Sequence, residues 1–231
     1  RLYMAGPHNQ ESNAYEMLKR GIEFFNIADY DTALLYIHEA LKSSPLYADA
    51  YYFLGKVFLE QGNLEAATVD LNMAIQINPL HTLAHYFLGY AYAKLENPSS
   101  AIFHFNEVIR QNPRCMEAYF YRGMNYKKIG KWEEAIFDFS WVLRYETNNP
   151  IAYFHRGSIY SNLGQAQLAI SDFKNAIRID PEYSEAYNNL GVAYIKQQDF
   201  ENAHESFHAA IAINKEIDTY HYNLGKIHLK L

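Results

Sequence analysis

Seven glycines recur every 34 residues along the chain, with no insertion or deletion between them. They are Gly21, Gly55, Gly89, Gly123, Gly157, Gly191 and Gly225. A fixed period of this length is typical of stacked repeat arrays, in which each short unit buries its apolar face only against its neighbours. The period therefore constrains the architecture strongly and says little about what the protein binds.

Other residue types follow the same period. Twelve residues after the glycine comes an alanine, and sixteen after it comes a large apolar residue; the first two such pairs are Ala33 with Ile37 and Ala67 with Leu71. Apolar residues recur at helical spacing on both sides of each turn, so we expect two antiparallel helices per repeat. We expect the glycine to lie where the two helices touch, with the alanine as its small partner. The second helices are expected to begin at N-cap acceptors, namely Asp29, Asn63, Asn97 and Asp199.

The chain resembles the tetratricopeptide repeat family, whose pattern runs aromatic, Leu-Gly, Tyr, Ala, Phe, Pro over 34 residues. Four repeats carry the Leu-Gly pair outright, at Leu54-Gly55, Leu88-Gly89, Leu190-Gly191 and Leu224-Gly225. The resemblance implies an all-α fold, a right-handed α-solenoid superhelix of antiparallel helix pairs. It would hold six complete repeats and the first helix of a seventh.

The repeat boundaries follow from the glycine register. We predict repeats at 14–47, 48–81, 82–115, 116–149, 150–183 and 184–217, with a partial repeat at 218–231. Residues 1–13 are predicted to be a linker or tag remnant. Because Arg1 is not a natural start and the last helix pair is incomplete, we expect the natural protein to extend beyond this sequence.

Two repeats replace the leucine before the glycine with an arginine, Arg122 and Arg156, and carry an aspartate sixteen residues later, Asp138 and Asp172. A bare charge beside a helix contact is costly, so we predict an ion pair between the two helices of each repeat. The alternative is that both arginines extend into solvent.

Composition and motifs exclude several function classes. The net charge of −6 and the pI near 5.9 argue against a nucleic-acid surface. No apolar stretch is long enough to span a bilayer, no leader is visible, and we expect a cytoplasmic protein. His204 and His208 complete a His-Glu-x-x-His string, but they flank Phe207 at a core position, so we predict packing rather than zinc chemistry. We expect no enzyme activity, no catalytic residue, no metal and no cofactor.

The family resemblance also implies a concave groove lined by the first helices. Residues three before and one after the glycine would form its floor, and residues four and five after it its edge. The predicted floor consists of Tyr52, Tyr86, Tyr90, Phe120, Met124 and Phe154. The predicted basic rim consists of Lys94, Lys127 and Lys128.

This groove predicts the partner's character. We expect a protein or peptide segment with apolar or aromatic anchors and some acidic residues. The lysine and asparagine clamp with which relatives grip chaperone carboxylate tails is missing, because Leu18, Phe53 and Tyr86 hold its places. We therefore predict an interaction scaffold or adaptor. Two alternatives stay open: the substrate-recruiting arm of a larger enzyme, and an assembly factor of a bacterial envelope complex.

Overall fold

The computed structural model describes residues 7–228, which contain thirteen α-helices joined by short turns. The helices are α1 (Pro7–Asn26), α2 (Tyr30–Ser43), α3 (Ala48–Glu60), α4 (Leu64–Ile77), α5 (Thr82–Lys94), α6 (Pro98–Gln111), α7 (Met116–Lys128), α8 (Trp132–Tyr145), α9 (Pro150–Asn162), α10 (Ala166–Ile179), α11 (Ser184–Lys196), α12 (Phe200–Ile213) and α13 (Asp218–His228). The chain divides into two compact units, residues 1–118 and 119–231. The predicted all-helical fold is confirmed.

In the first unit, helices pair as hairpins, α1 with α2, α3 with α4 and α5 with α6. The first helices of the hairpins, α1, α3 and α5, also contact one another, so they line one side of the unit. One core cluster joins the first two repeats and includes Leu18, Ile37, Leu54 and Val57. We call the side on which the first helices lie together the first-helix face.

The second unit repeats this arrangement. Helix α9 pairs with α10 and α11 with α12, while α9 and α11 contact each other on the first-helix face. A core cluster runs through two hairpins and helix α13 and includes Phe173, Leu190, Phe207 and Ile227. Because each apolar residue is buried by the following repeat, stability comes from stacking rather than from any single hairpin.

Helix α1 begins at Pro7, inside the segment 1–13 that we predicted to be a linker. Residues 7–13 are therefore helical, and the Asn13 side-chain amide donates to the Ser43 hydroxyl at 2.8 Å. A proline suits the first helical turn because it has no backbone N–H to satisfy. Residues 1–6 and 229–231 lie outside the described residues, so the prediction over residues 1–6 concerns a part the structure does not describe.

The predicted N-caps are confirmed. The side-chain oxygens of Asp29, Asn63, Asn97 and Asp199 each accept the backbone N–H three residues later, at 3.1–3.2 Å. Each acceptor satisfies one of the four donors that the start of a helix leaves without a partner. In these four hairpins the start of the second helix is thus encoded locally, whereas Lys131 and Gln165 hold the same position without a side-chain cap bond.

The glycines of the six complete repeats lie at close helix contacts, but their partner differs from the one predicted. A Cβ at Gly191 would lie 2.7 Å from the Phe207 ring, and one at Gly55 would lie 2.5 Å from Leu71. The expected alanine contributes only a backbone oxygen, 3.3 Å from a Cβ at Gly21 in the case of Ala33. The glycine therefore makes room for the large residue sixteen positions later, which is fully buried in every complete repeat.

One turn position adopts a left-handed backbone in all six hairpins, which the sequence analysis did not foresee. It is filled by Ala28, Gly62, Glu96, Gly130, Gly164 and Gln198, with φ between 58° and 76°. Glycine meets this conformation at no steric cost, whereas other residues pay about 1–2 kcal/mol. Helix packing therefore imposes the turn even where the local residue disfavours it.

The two predicted ion pairs are confirmed. Arg122 Nε and Nη2 donate to the two carboxylate oxygens of Asp138 at 2.9 and 2.6 Å, and Arg156 does the same to Asp172 at 2.8 Å for both bonds. Arg156 also donates to the Ser140 hydroxyl at 3.0 Å. Both aspartates are buried, so the alternative in which the arginines extend into solvent is wrong.

Candidate partner-binding surfaces

The first-helix face of the first unit is organised around Lys56. Its ammonium lies 4.9 Å from the ring centroid of Phe25, 5.2 Å from that of Phe87 and 6.0 Å from that of Phe53. The three rings come from α1, α3 and α5, so only the stacking of three repeats brings them together. Cation–π contacts of this kind contribute roughly 0.5–2 kcal/mol each, depending on how well water is excluded.

Tyr52, a predicted floor residue, lies inside the core. It is only 6% exposed, and its ring contacts Phe53, His81 and Phe87 at centroid distances of 4.9, 4.9 and 5.9 Å. Burial, and secondarily the nearby Asp49, raises the pKa of Tyr52 to about 12. Tyr52 thus packs beneath the rings of Phe53 and Phe87 and leaves almost no surface exposed for a partner.

The other predicted residues of this unit lie at the surface of α5. Tyr86 and Tyr90 are half-buried, and Tyr86 packs edge-on against Phe87 and Phe105. Lys94 is exposed, and its ammonium lies 5.5 Å from the Tyr90 ring centroid. All three residues therefore keep part of their surface accessible to solvent.

In the second unit, the predicted floor residues Phe120, Met124 and Phe154 are all half-buried. Phe120 packs against Phe139 at 5.8 Å, and Phe154 packs against Phe173 at 6.0 Å and Tyr183 at 4.9 Å. Each ring is thus partly buried against the core and partly exposed to solvent.

Lys127, a predicted rim residue, points inward instead. Its ammonium lies 3.2 Å from Nδ1 of His155, and both residues are half-buried. Burial lowers the pKa of Lys127, while burial and then the Lys127 charge lower the pKa of His155 to about 4. His155 is therefore neutral at pH 7 and accepts from the ammonium. Lys128, the next residue, is exposed.

A polar pocket of about 150 Å³ opens on the same face between α9 and α11. It is lined by Ser158, Ser161, Asn162, Phe173, Asn189, Val192 and Lys196. The Lys196 ammonium donates to the main-chain oxygen of Ser161 at 2.5 Å and to its hydroxyl at 3.2 Å. The pocket could bind a polar or acidic group.

Four lysines of these two faces share one electrostatic property. Among residues 7–228, no carboxylate lies within ion-pair distance of Lys56, Lys94, Lys127 or Lys196. Their neighbours are aromatic rings, a neutral imidazole and a serine instead. In a chain of net charge −6, such lysines concentrate positive potential where an acidic partner could approach.

The histidine string is arranged as a surface feature. The His204 and His208 rings lie 4.4 Å apart on α12, on either side of the fully buried Phe207. Within the described part of the chain, no group of three or more histidine, cysteine or acidic side chains could hold a metal ion. The absence of zinc chemistry stays a prediction.

Sequence reasoning missed Lys56, Phe53 and Phe87 as a cluster. Phe53 and Phe87 stand two residues before the repeated glycine, one position after the register used to predict the floor. Comparing aromatic residues at that register in successive repeats would have identified them.

Within residues 7–228, none of the helices combines the length and apolar composition needed to cross a bilayer.

Five family models match the chain. Four are described as tetratricopeptide repeats, over residues 18–79, 82–115, 117–140 and 184–216, and one as a TPR repeat, over residues 163–198. No curated protein matches the chain in sequence.

Several solved structures share the fold at low sequence identity. The crystal structure of YrrB, described as a TPR protein with an unusual peptide-binding site, has a TM-score of 0.73 and 22% identity, covering 80% of this chain and 96% of that one. MamA has a TM-score of 0.70 and 22% identity, covering 75% and 94%. PilF from Pseudomonas aeruginosa has a TM-score of 0.74 and 12% identity, covering 96% and 100%.

Proposed function

The chain belongs to the tetratricopeptide repeat family, and we propose that it is a scaffold that holds a segment of a partner protein against its first-helix faces. Repeats of this family expose long surfaces on their first helices, and those surfaces here carry half-buried aromatic rings. Rings that are partly exposed and already fixed by the core can take up a partner's apolar side chains at little entropic cost.

The observation that carries the proposal is the set of four lysines without carboxylate partners. On either unit, acidic side chains of a partner would pair with these lysines. Apolar residues of the partner would pack on Tyr86 and Tyr90 in the first unit, or on Phe120 and Phe154 in the second. Charges at the rim of such a site set orientation and association rate, and the aromatic contacts supply most of the affinity. The proposed partner is therefore an acidic segment with aromatic or aliphatic anchors.

The polar pocket beside Lys196 adds a local requirement. Asn188 donates to Asn189, and Asn223 donates to Asn188 at 2.9 Å, so these amides form a chain leading to the pocket. Amide groups satisfy the backbone of an extended peptide as well as its side chains. We infer that the partner segment is extended where it crosses this pocket.

Site-specific crosslinking tests the location. A photoreactive phenylalanine analogue at Met124 should capture the partner segment from the cell of origin, whereas one at Phe103, an exposed residue on the second helix α6, should not. The captured segment should be acidic. If Phe103 captures the same segment and Met124 captures none, the partner lies on the second-helix side and the proposal is wrong.

Charge reversal then tests the lysines with the captured segment as a synthetic peptide. Lys56→Glu and Lys196→Glu should each weaken binding at least about tenfold, which is about 1.4 kcal/mol. Lys42→Glu on α2 makes the same charge change at a site 72% exposed and should leave binding nearly unchanged. Equal losses in all three variants would show a nonspecific attraction by net charge.

A further inference from the structure

Repeats 4 and 5 each contain an internal binding site for a guanidinium group. Arg156 lies between two tyrosine rings, with its guanidinium carbon 5.7 Å from the Tyr153 centroid and 5.9 Å from the Tyr160 centroid. The aspartate of the facing helix and Ser140 of the preceding repeat accept its N–H groups. Repeat 4 builds the same site around Arg122, at 5.3 and 5.6 Å from its two tyrosines.

Repeat 6 keeps the two tyrosines of this site but has no arginine between them in sequence. Tyr187 and Tyr194 stand 34 residues after Tyr153 and Tyr160, but Leu190 replaces the arginine and Ser206 the aspartate. A cleft of about 340 Å³ opens at this register between α10, α11 and α12, and both tyrosines, Leu190 and Ser206 line it. The loss of arginine and aspartate together leaves no bare charge behind, and the shorter Leu190 and Ser206 lie in the wall of this cleft.

A carboxylate is still available in the cleft. Glu205 lies in its wall, is exposed, and forms no ion pair with any residue in the range 7–228. Asn202 also lines the wall. Two tyrosine faces, a carboxylate and neutral oxygens are the groups that a planar guanidinium binds, because it stacks on aromatic faces and directs five donors outward.

We propose that the cleft between α10, α11 and α12 of repeat 6 receives an arginine side chain of a partner protein, in the position that Arg122 and Arg156 fill in their own repeats. This site lies beside the second helices, away from the first-helix face. It would let the chain engage a basic partner segment independently of the acidic segment described above.

Lys174 modulates the site. It lies in repeat 5 at the position that Ser140 holds in repeat 4, and its ammonium lies 5.6 Å from the Tyr194 ring centroid. The chain therefore already places a cation on one of the two rings. An incoming guanidinium must displace this exposed side chain, so removal of Lys174 should strengthen arginine binding.

The test uses the whole chain and N-acetyl-arginine N-methylamide as the probe, followed by backbone amide shifts in NMR. Shifts at Tyr187, Tyr194 and Ser206 should saturate with a dissociation constant of about 1–10 mM, as expected for a ligand of this size. The citrulline analogue, which has the same shape without the charge, should bind at least about tenfold more weakly.

Three variants make the test decisive. The double substitution Leu190→Arg with Ser206→Asp rebuilds the internal pair of repeats 4 and 5, so it should fold normally and abolish probe binding. Glu205→Gln should weaken the probe, and Lys174→Ser should strengthen it.

Several results would overturn the proposal: equal binding of citrulline, unchanged binding in the filled double variant, or loss of binding in Lys174→Ser, which would indicate an anion site. The double variant leaves Lys56 and Lys196 untouched, so failure here is separable from failure of the first-helix proposal.

Discussion

The ion pair between Arg156 and Asp172 can be replaced by the two uncharged residues that repeat 6 has at the same positions. Repeat 6 has Leu190 and Ser206 at the same two positions and folds into the same hairpin. We therefore consider Arg156→Leu, Asp172→Ser and the combination of both. The structure predicts three different costs, because the two partners are buried to different extents.

Arg156→Leu should be the most damaging change. The Asp172 side chain is only 5% exposed and would lose both of its donors, and an uncompensated buried charge costs about 3–5 kcal/mol. Asp172→Ser should cost less, about 1–3 kcal/mol, because Arg156 is 19% exposed and keeps its tyrosine rings and Ser140. The double variant should fall within about 1 kcal/mol of the wild type, since replacing a whole buried pair is often neutral.

Urea unfolding followed by far-UV circular dichroism measures the three costs. The denaturant slope should stay constant, which shows that the same surface is exposed in each variant. The exposed pair Arg110 and Glu107 provides the control, because Arg110 is 59% exposed and Arg110→Leu should leave the stability nearly unchanged.

The cycle can refute this reasoning in two ways. A cost below about 1 kcal/mol for Arg156→Leu would mean that water reaches Asp172 and screens its charge. A double variant as unstable as Arg156→Leu would mean that the pair contributes net stability and that repeat 6 is compensated by other residues.

Three further predictions concern stability. In thermal melts, Gly191→Ala should destabilise the chain, because its Cβ would meet the Phe207 ring. Gly225→Ala should instead stabilise the chain by about 1 kcal/mol, because nothing lies within 4 Å of the added Cβ. Equal effects of the two substitutions would contradict the close-contact explanation. Gln198→Gly should stabilise by roughly 1 kcal/mol by relieving the left-handed turn, and a loss would show that the turn is unstrained. Burial raises the pKa of Asp70 from 3.8 to about 6, so the folded state favours the protonated carboxyl group. The contribution of this group to the free energy of unfolding is complete below pH 3.8 and is lost as the pH rises through 6. Asp70→Asn should therefore gain about 1–2 kcal/mol at pH 8, after discounting for partial exposure, and a flat difference between pH 4 and pH 8 would contradict this.

The sequence by itself determined the helices, the hairpins and several contacts within a repeat. These contacts join residues at fixed separations inside one 34-residue unit, such as Arg122 with Asp138 or Asn63 with its cap donor. Once both helices of a hairpin form, their geometry leaves little choice of neighbour. The glycine register likewise indicated a close contact, although its partner proved to be the large residue rather than the alanine.

Only the tertiary structure decided which side chains of the first helices are available to a partner. Tyr52 and Tyr86 hold the same register, yet Tyr52 is buried, with His81 and Phe87 against its ring, whereas Tyr86 is half-buried and packs on Phe87 and Phe105. The Lys127 ammonium lies against the His155 ring, and the Lys56 ammonium lies near aromatic rings from three helices. Such contacts run between repeats, where the size of a side chain one unit away determines direction and burial. A periodic pattern specifies the position of each residue within its repeat and not what the neighbouring repeat places against it.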